Sequence, residues 1–156
     1  MEVDRVALIG HRSLNPACQI EKYLERLVRE LLLKKEFVEF YIGRNGEFDI
    51  LAVSVIKRTQ KTVGAENSSL ILVLPYHAKD EEYYKNYYDE ICFPIEESSH
   101  FKAAITKRNS WMMEQADLVI AYVEHPIGGA YKALRYAEQR GVRSINLAGQ
   151  EENEEI

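Results

Sequence analysis

The sequence predicts an α/β fold built on one mainly parallel, doubly wound sheet, and three observations carry that expectation. Short apolar runs recur along the chain, and most are halted by glycine or proline. The stretches between them place apolar residues at helical spacing. Strand and helix alternate almost throughout, which implies a parallel sheet with helices on both faces.

The first run, Val6-Ala7-Leu8-Ile9, ends at Gly10 and reads as a buried strand. Asn15-Pro16 then looks like an N-cap followed by proline at the first helical position. Ile20, Tyr23, Leu24, Leu27, Val28, Leu31 and Leu32 continue with amphipathic spacing, so a helix is expected over about 16–35. Phe37–Ile42 is the second strand, stopped by Gly43, and a helix follows at about 48–63. Leu70–Leu74, stopped by Pro75, is the third strand. Glu81–Ile91 reads as a helix carrying Tyr83, Tyr84, Tyr87 and Tyr88, broken by Cys92-Phe93-Pro94. A helix at about 102–116 leads into the fourth strand, Leu118–Val123. The Gly128-Gly129 loop opens a helix at about 130–140, capped by Gly141, and Ser144–Leu147 is the last strand. Right-handed crossovers then give five strands in the order 3-2-1-4-5, with the winding reversing between the first and the fourth.

Composition bounds the function classes. The chain has 156 residues, 46% hydrophobic and 29% charged, as expected of one folded domain, assigned to residues 1–149. The acidic stretch 150–156 is read as a solvated, disordered tail. No apolar run reaches the roughly 20 residues that span a bilayer. The acidic start, Met1-Glu2-Val3-Asp4-Arg5, does not look like a signal peptide, so a cytoplasmic location is expected. Cys18 and Cys92 have neither disulfide-framework nor metal-ligand spacing, so neither a disulfide framework nor a zinc site is expected; no metal and no cofactor are assigned. The net charge is −5, four of the negatives lying in the tail. Such a near-neutral body argues against direct nucleic-acid binding through a basic face.

In a doubly wound sheet, ligands sit beyond the carboxyl ends of the strands at the switch point. The first strand ends in Gly10-His11-Arg12, the second in Gly43-Arg44-Asn45-Gly46, and the fourth leads to His125-Pro126-Ile127-Gly128-Gly129. Glycines let a ligand approach the backbone, and a helix starting after Gly128-Gly129 adds the positive end of its dipole. Arg12 and Arg44 would add paired hydrogen bonds to phosphate oxygens. Each feature has a plainer alternative: a tight turn, surface arginines, loop histidines. Their convergence on one rim favours phosphate binding. Neither GxGxxG nor GxxxxGK[ST] is present.

Gly10-His11-Arg12, Phe40-Tyr41-Ile42-Gly43-x-x-Gly46-x-x-Asp49, Arg108-Asn109-x-Trp111-Met112, Ala116–Tyr122 and Gly128-Gly129-Ala130-Tyr131 together resemble the YpsA-like branch of the SLOG (Smf/DprA–LOG) superfamily. That superfamily includes the DprA DNA-processing proteins and the LOG phosphoribohydrolases. The resemblance spans about residues 5–147. It implies a Rossmann-like fold that binds nucleotides or nucleotide-derived ligands. Enzymatic members carry RKxxM and PGGxGTxxE elements, whose glycines and threonine hold phosphate and whose arginine and final glutamate serve N-glycosidic cleavage. By that resemblance Arg108 matches the arginine, Asn109 replaces the lysine, and Gly128 and Gly129 match the glycine pair. Tyr131 replaces the third glycine, Lys132 the threonine and Arg135 the glutamate.

The lost carboxylate weighs against LOG-type hydrolysis, which calls for an acid or base. Asp49 and Glu114 are the candidate replacements, each alternatively a first-turn acid or an ion-paired helix residue. Lys132 is either a phosphate partner or a solvated helix residue. Trp111 either stacks on a base or packs in the core. The tyrosines at 83–88 form a lid, or a packed helix or oligomer contact. The expected site is therefore Gly10, His11, Arg12, Gly43, Arg44, Arg108, Asn109, Trp111, Gly128, Gly129, Ala130, Tyr131 and Lys132. The leading expectation is binding or sensing of a nucleotide-like small molecule. An N-glycosidic hydrolase or transferase is the second reading, and a non-enzymatic interaction protein, including a homo-oligomer, the third.

Overall fold

The computed structural model describes residues 1–149 except 17, 45, 78, 79, 97 and 98. The acidic segment 150–156 and Asn45 lie outside the described residues. The elements are β1 (Val3–Gly10), α1 (Glu21–Lys34), β2 (Phe37–Ile42), α2 (Glu47–Val63), β3 (Ser68–Val73), α3 (Glu81–Lys85), β4 (Glu90–Cys92), α4 (Phe101–Gln115), β5 (Leu118–Tyr122), α5 (Gly129–Gln139) and β6 (Arg143–Asn146). All five strand pairings are parallel, in the order β4-β3-β2-β1-β5-β6. The sheet is doubly wound and reverses between β1 and β5, as the alternation of elements predicts.

Alternation along the strands builds two cores. Val6, Leu8, Phe40, Ile42, Leu70, Leu72 and Ile120 face one way, against Leu24, Leu27, Val28 and Leu31 of α1 and Phe48, Ala52 and Ile56 of α2. Ala7, Ile9, Tyr41, Ile71, Val73, Val119 and Ala121 face the other way, against Met112 and Met113 of α4 and Ala130, Ala133, Leu134 and Ala137 of α5. The alanines of α5 let that helix lie close to the strands. No described helix is long and apolar enough to cross a membrane.

The structure corrects the sequence reading in three places. The sheet has six strands, not five. The extra one, β4, is a three-residue edge strand held on β3 by Asp89, which accepts from Leu70 N–H (2.7 Å) and donates its own N–H to Leu70 O (2.9 Å). The helix expected over Glu81–Ile91 is confined to α3, because residues 90–92 pair with β3 instead. Helix α1 begins at Glu21 rather than near 16. Asn15-Pro16 forms a turn closed by Cys18 N–H on Asn15 O (2.9 Å), and the N-cap position falls on Ile20.

Candidate functional site

The helix-facing ends of β1, β2, β3 and β5 form one rim, assembled mostly from backbone. At Gly10 the ring of Phe48, in the first turn of α2, lies directly on the Cα. A Cβ there would fall 2.8 Å from Phe48 Cβ and overlap the ring. One residue on, His11 N–H bonds Tyr122 O (3.1 Å), and its ring reaches across to the loop after β5. His11 Nε2 accepts from Glu124 N–H (2.9 Å) and His125 N–H (3.2 Å). A ring nitrogen that accepts in this way carries no proton, so the imidazole is neutral with its hydrogen on Nδ1. Burial, then the neighbouring His125, lower its pKa, and Glu124 opposes them. The β2–α2 loop is tied to the same place. Glu47 N–H bonds Arg12 O (2.8 Å), and Leu14 N–H bonds the Glu47 carboxylate (3.1 Å).

A partly buried cation of the rim is Arg108. It projects from the middle of α4, half-buried, with Nη1 on Val73 O at the end of β3 (2.8 Å) and Nε on Asn109 Oδ1 (2.9 Å). Burial lowers its pKa, while Asp49 and then Tyr76 oppose that by stabilising the charge. Gly43 sits between the two: a Cβ there would lie 3.2 Å from both Arg108 Nη1 and Asp49 Oδ2. Asn109 in turn borders the glycine loop, its Nδ2 3.5 Å from the Cβ position of Gly129. Gly43, Asp49, Arg108, Asn109 and Gly129 thus form a continuous strip.

The strip ends at α5. Gly128 is its N-cap, at φ 94° and ψ 175°, a conformation open in practice to glycine alone. Lys132 N–H closes the first turn on Gly128 O (3.1 Å). The N-terminal turn of α2 contains Glu47 and Asp49, and that of α4 is capped by His100. The first turn of α5 holds no acid and no side-chain cap. Among the described residues no acid of that turn and no capping side chain offsets its leading N–H groups and dipole, the arrangement that suits an anion. Ala130 is buried, Tyr131 packs on the sheet, and Lys132 and Arg12 are exposed.

Other expected residues lie elsewhere or are occupied. Arg44 points to α3, not to the rim. Its Nη1 binds both Asp80 oxygens (2.8 and 3.0 Å), and its guanidinium lies 5.0 Å from the Tyr84 ring centroid. Glu114 accepts from Tyr136 Oη at 2.6 Å and joins α4 to α5. Seven residues separate Tyr136 from Gly129, roughly 10 Å down the helix from the rim, so this carboxylate is no partner for a rim ligand. Trp111 meets Tyr41 edge-on at 5.6 Å and packs over the sheet, its core reading. Of the two candidate carboxylates, only Asp49 is at the rim. No group of three or more potential metal ligands occurs among the described residues.

Sequence reasoning missed two contributors. Glu47 fastens the β1 loop, and an aromatic group, Tyr76, His77, Phe93 and Phe101, borders the rim beyond β3 and β4. Their spacing in sequence gives no signal, because three segments supply them.

With this geometry in hand, solved structures can be compared. The chain shares the fold of DNA processing protein A. Against that protein from Streptococcus pneumoniae the TM-score is 0.56, with 14% identity over 92% of this chain and 58% of the other. Against the Helicobacter pylori protein it is 0.62, with 17% identity over 90% of this chain and 63% of the other. DNA processing protein A is a SLOG superfamily member with a Rossmann-like fold. The present chain spans about three fifths of each. No family model and no curated relative matches it. One earlier expectation is overturned. The sequence reading weighs against direct nucleic-acid binding, yet the Helicobacter pylori protein, which has this fold, binds single-stranded DNA, so that expectation does not stand. Net charge averages over the surface, whereas Arg12, Arg108 and Lys132 all belong to elements that meet at one rim.

Proposed function

We propose that this protein binds a nucleotide unit, as a nucleotide-derived small molecule or within a single strand of nucleic acid, with a phosphate on the N-terminus of α5. The observation that carries the reading is the partly buried Arg108, held beside Asn109 and the Gly128-Gly129 turn. A buried cation is costly unless something nearby offsets it. Here Asp49 offsets it in part, and the uncompensated helix N-terminus adds to the demand for an anion. The motifs that resemble the YpsA-like SLOG branch support the same ligand class, and the single-stranded DNA binding of one fold neighbour makes the polymeric form a direct alternative to the small molecule. Calorimetric titration with AMP, ADP-ribose and a short single-stranded oligonucleotide tests it. Saturable binding of at least one is expected, and absence of binding by all three removes the proposal.

A second reading rests on Asp49. Its carboxylate interacts with Arg108 at the rim, the pairing of carboxylate and arginine that N-glycosidic cleavage would use. Incubation with nucleoside monophosphates should then release free base, and Asp49→Asn should stop release while leaving binding intact. No free base at high protein concentration eliminates this reading and leaves binding alone.

A further inference from the structure

From the aromatic cavity beside the rim we infer that the base of the nucleotide unit stacks between α4 and the segments following β3 and β4; this rests on the reading above and extends it to the ligand's other end. A cavity of about 340 Å³ opens there, lined by Pro75, Tyr76, His77, Phe93 and Ile95 among others. That volume is at the lower end of the roughly 300–1,000 Å³ typical of small-molecule sites. Two of its rings are stacked, His77 on Phe93 at 3.9 Å and 17°, and its Tyr76 meets the neighbouring Phe101 of α4 at a tilt, 5.2 Å and 34°. Phe101 is nonetheless 57% exposed and Tyr76 37%, so ring faces remain open to a planar partner. Stacking of bases on such rings is tolerant of sequence and strong enough to hold a nucleotide.

Two further features orient the ligand. Ala104 lines the cavity and stands one helical turn, about 6 Å, before Arg108 on α4. The strip therefore runs from the cavity through Arg108 and Asn109 to Gly129, which matches the succession of base, sugar and phosphate. The cavity end carries two acids, Glu96 in its lining and Glu81 bonded to His77 (3.0 Å), and one cation, Lys107, bonded to the lining residue Ser99 (3.1 Å). The acids outnumber that cation, whereas the first turn of α5 holds no acid, so a phosphate is better placed at α5. The phosphate belongs at α5 and the base in the cavity.

The test compares AMP with ribose 5-phosphate, and a single-stranded oligoadenylate with an abasic strand of the same length, on the full chain and on Phe101→Ala and Tyr76→Ala. AMP or the oligoadenylate should bind about tenfold or more tighter than its base-free counterpart. Both substitutions should erase that preference without changing the base-free affinity. In wild-type protein, AMP or the oligoadenylate should also shift the Tyr76 and Phe101 ring resonances, a readout that needs no variant. A preference confined to AMP assigns the site to a free nucleotide, and one confined to the oligonucleotide assigns it to a strand. Equal affinity with and without the base, or a preference that survives both substitutions, overturns the inference while the rim reading stands. If no phosphate-bearing probe binds at all, the rim reading fails and this inference with it.

Discussion

Gly10 has no room for a side chain, since Phe48 occupies the space where a Cβ would go. Phe48 is fully buried and its overlapping atoms are near its own backbone, so it cannot swing aside. Gly10→Ala should lower stability by about 1–3 kcal/mol in urea unfolding. The two loop glycines should separate folding from binding. Gly128→Ala forces a non-glycine residue into a strained conformation and should cost about 1–3 kcal/mol. Gly129→Asp meets only Asn109 at ordinary contact distance and puts an acid in a helix's first turn, which leaves stability level or slightly raised. His11 gives a pH signature. Its folded-state pKa lies below the ordinary value of about 6.5, so the unfolded chain takes up the proton first. The His11 contribution is complete above about pH 6.5 and is lost as pH falls from there through the lower folded pKa. Urea unfolding from pH 8 to pH 5 should show a steeper fall for wild type than for His11→Ala. The sequence marked Gly10 and His11 as rim residues, but not their reasons. Both reasons are contacts with residues 38 or more positions away, Phe48 and Glu124, and no local pattern records those.

Among elements, those with long periodic patterns were legible in the sequence and the short ones were not. The six buried apolar positions of α1 and the stop of α5 before Gly141 follow from spacing alone. The segment from α3 to β4 does not. Tyr83, Tyr84, Tyr87 and Tyr88 have helical spacing, yet residues 90–92 gain a sheet partner and the helix stops after five residues. What anchors this segment is tertiary: Tyr88 is buried, and Arg44 grips Asp80 and Tyr84. The Arg44 pKa reflects the same grip, because the hydrogen bonds to Asp80 and Tyr84 outweigh the lowering effect of burial. Asp80→Asn weakens one side of the clamp. Amide exchange over 81–92 should quicken in that variant while exchange in β1 and β5 stays unchanged. Equal acceleration across the sheet would show that the clamp supports the whole domain instead.

For the molecule as a whole, topology turned a list of sequence motifs into a place. Parallel strands put every helix N-terminus on one rim, and the reversal between β1 and β5 opens that rim beside α5. This much follows from alternation and was foreseen. Charge was misjudged at the same scale, because a total of −5 says nothing about where Arg108 and Lys132 stand. The residues named from the motifs are only partly brought together. Gly43, Arg108, Asn109 and Gly129 are neighbours, whereas Arg44, Trp111 and Glu114 are held by Asp80, Tyr41 and Tyr136. Such pairings depend on side-chain reach in three dimensions. The central claim is that the N-terminus of α5 receives a phosphate, and the most direct measurement is AMP affinity in wild type and Gly129→Asp, with thermal unfolding run alongside. The account predicts a loss of at least about tenfold, the loss expected when charge-assisted hydrogen bonds to the phosphate go, with no fall in Tm. Unchanged affinity in the variant would contradict it.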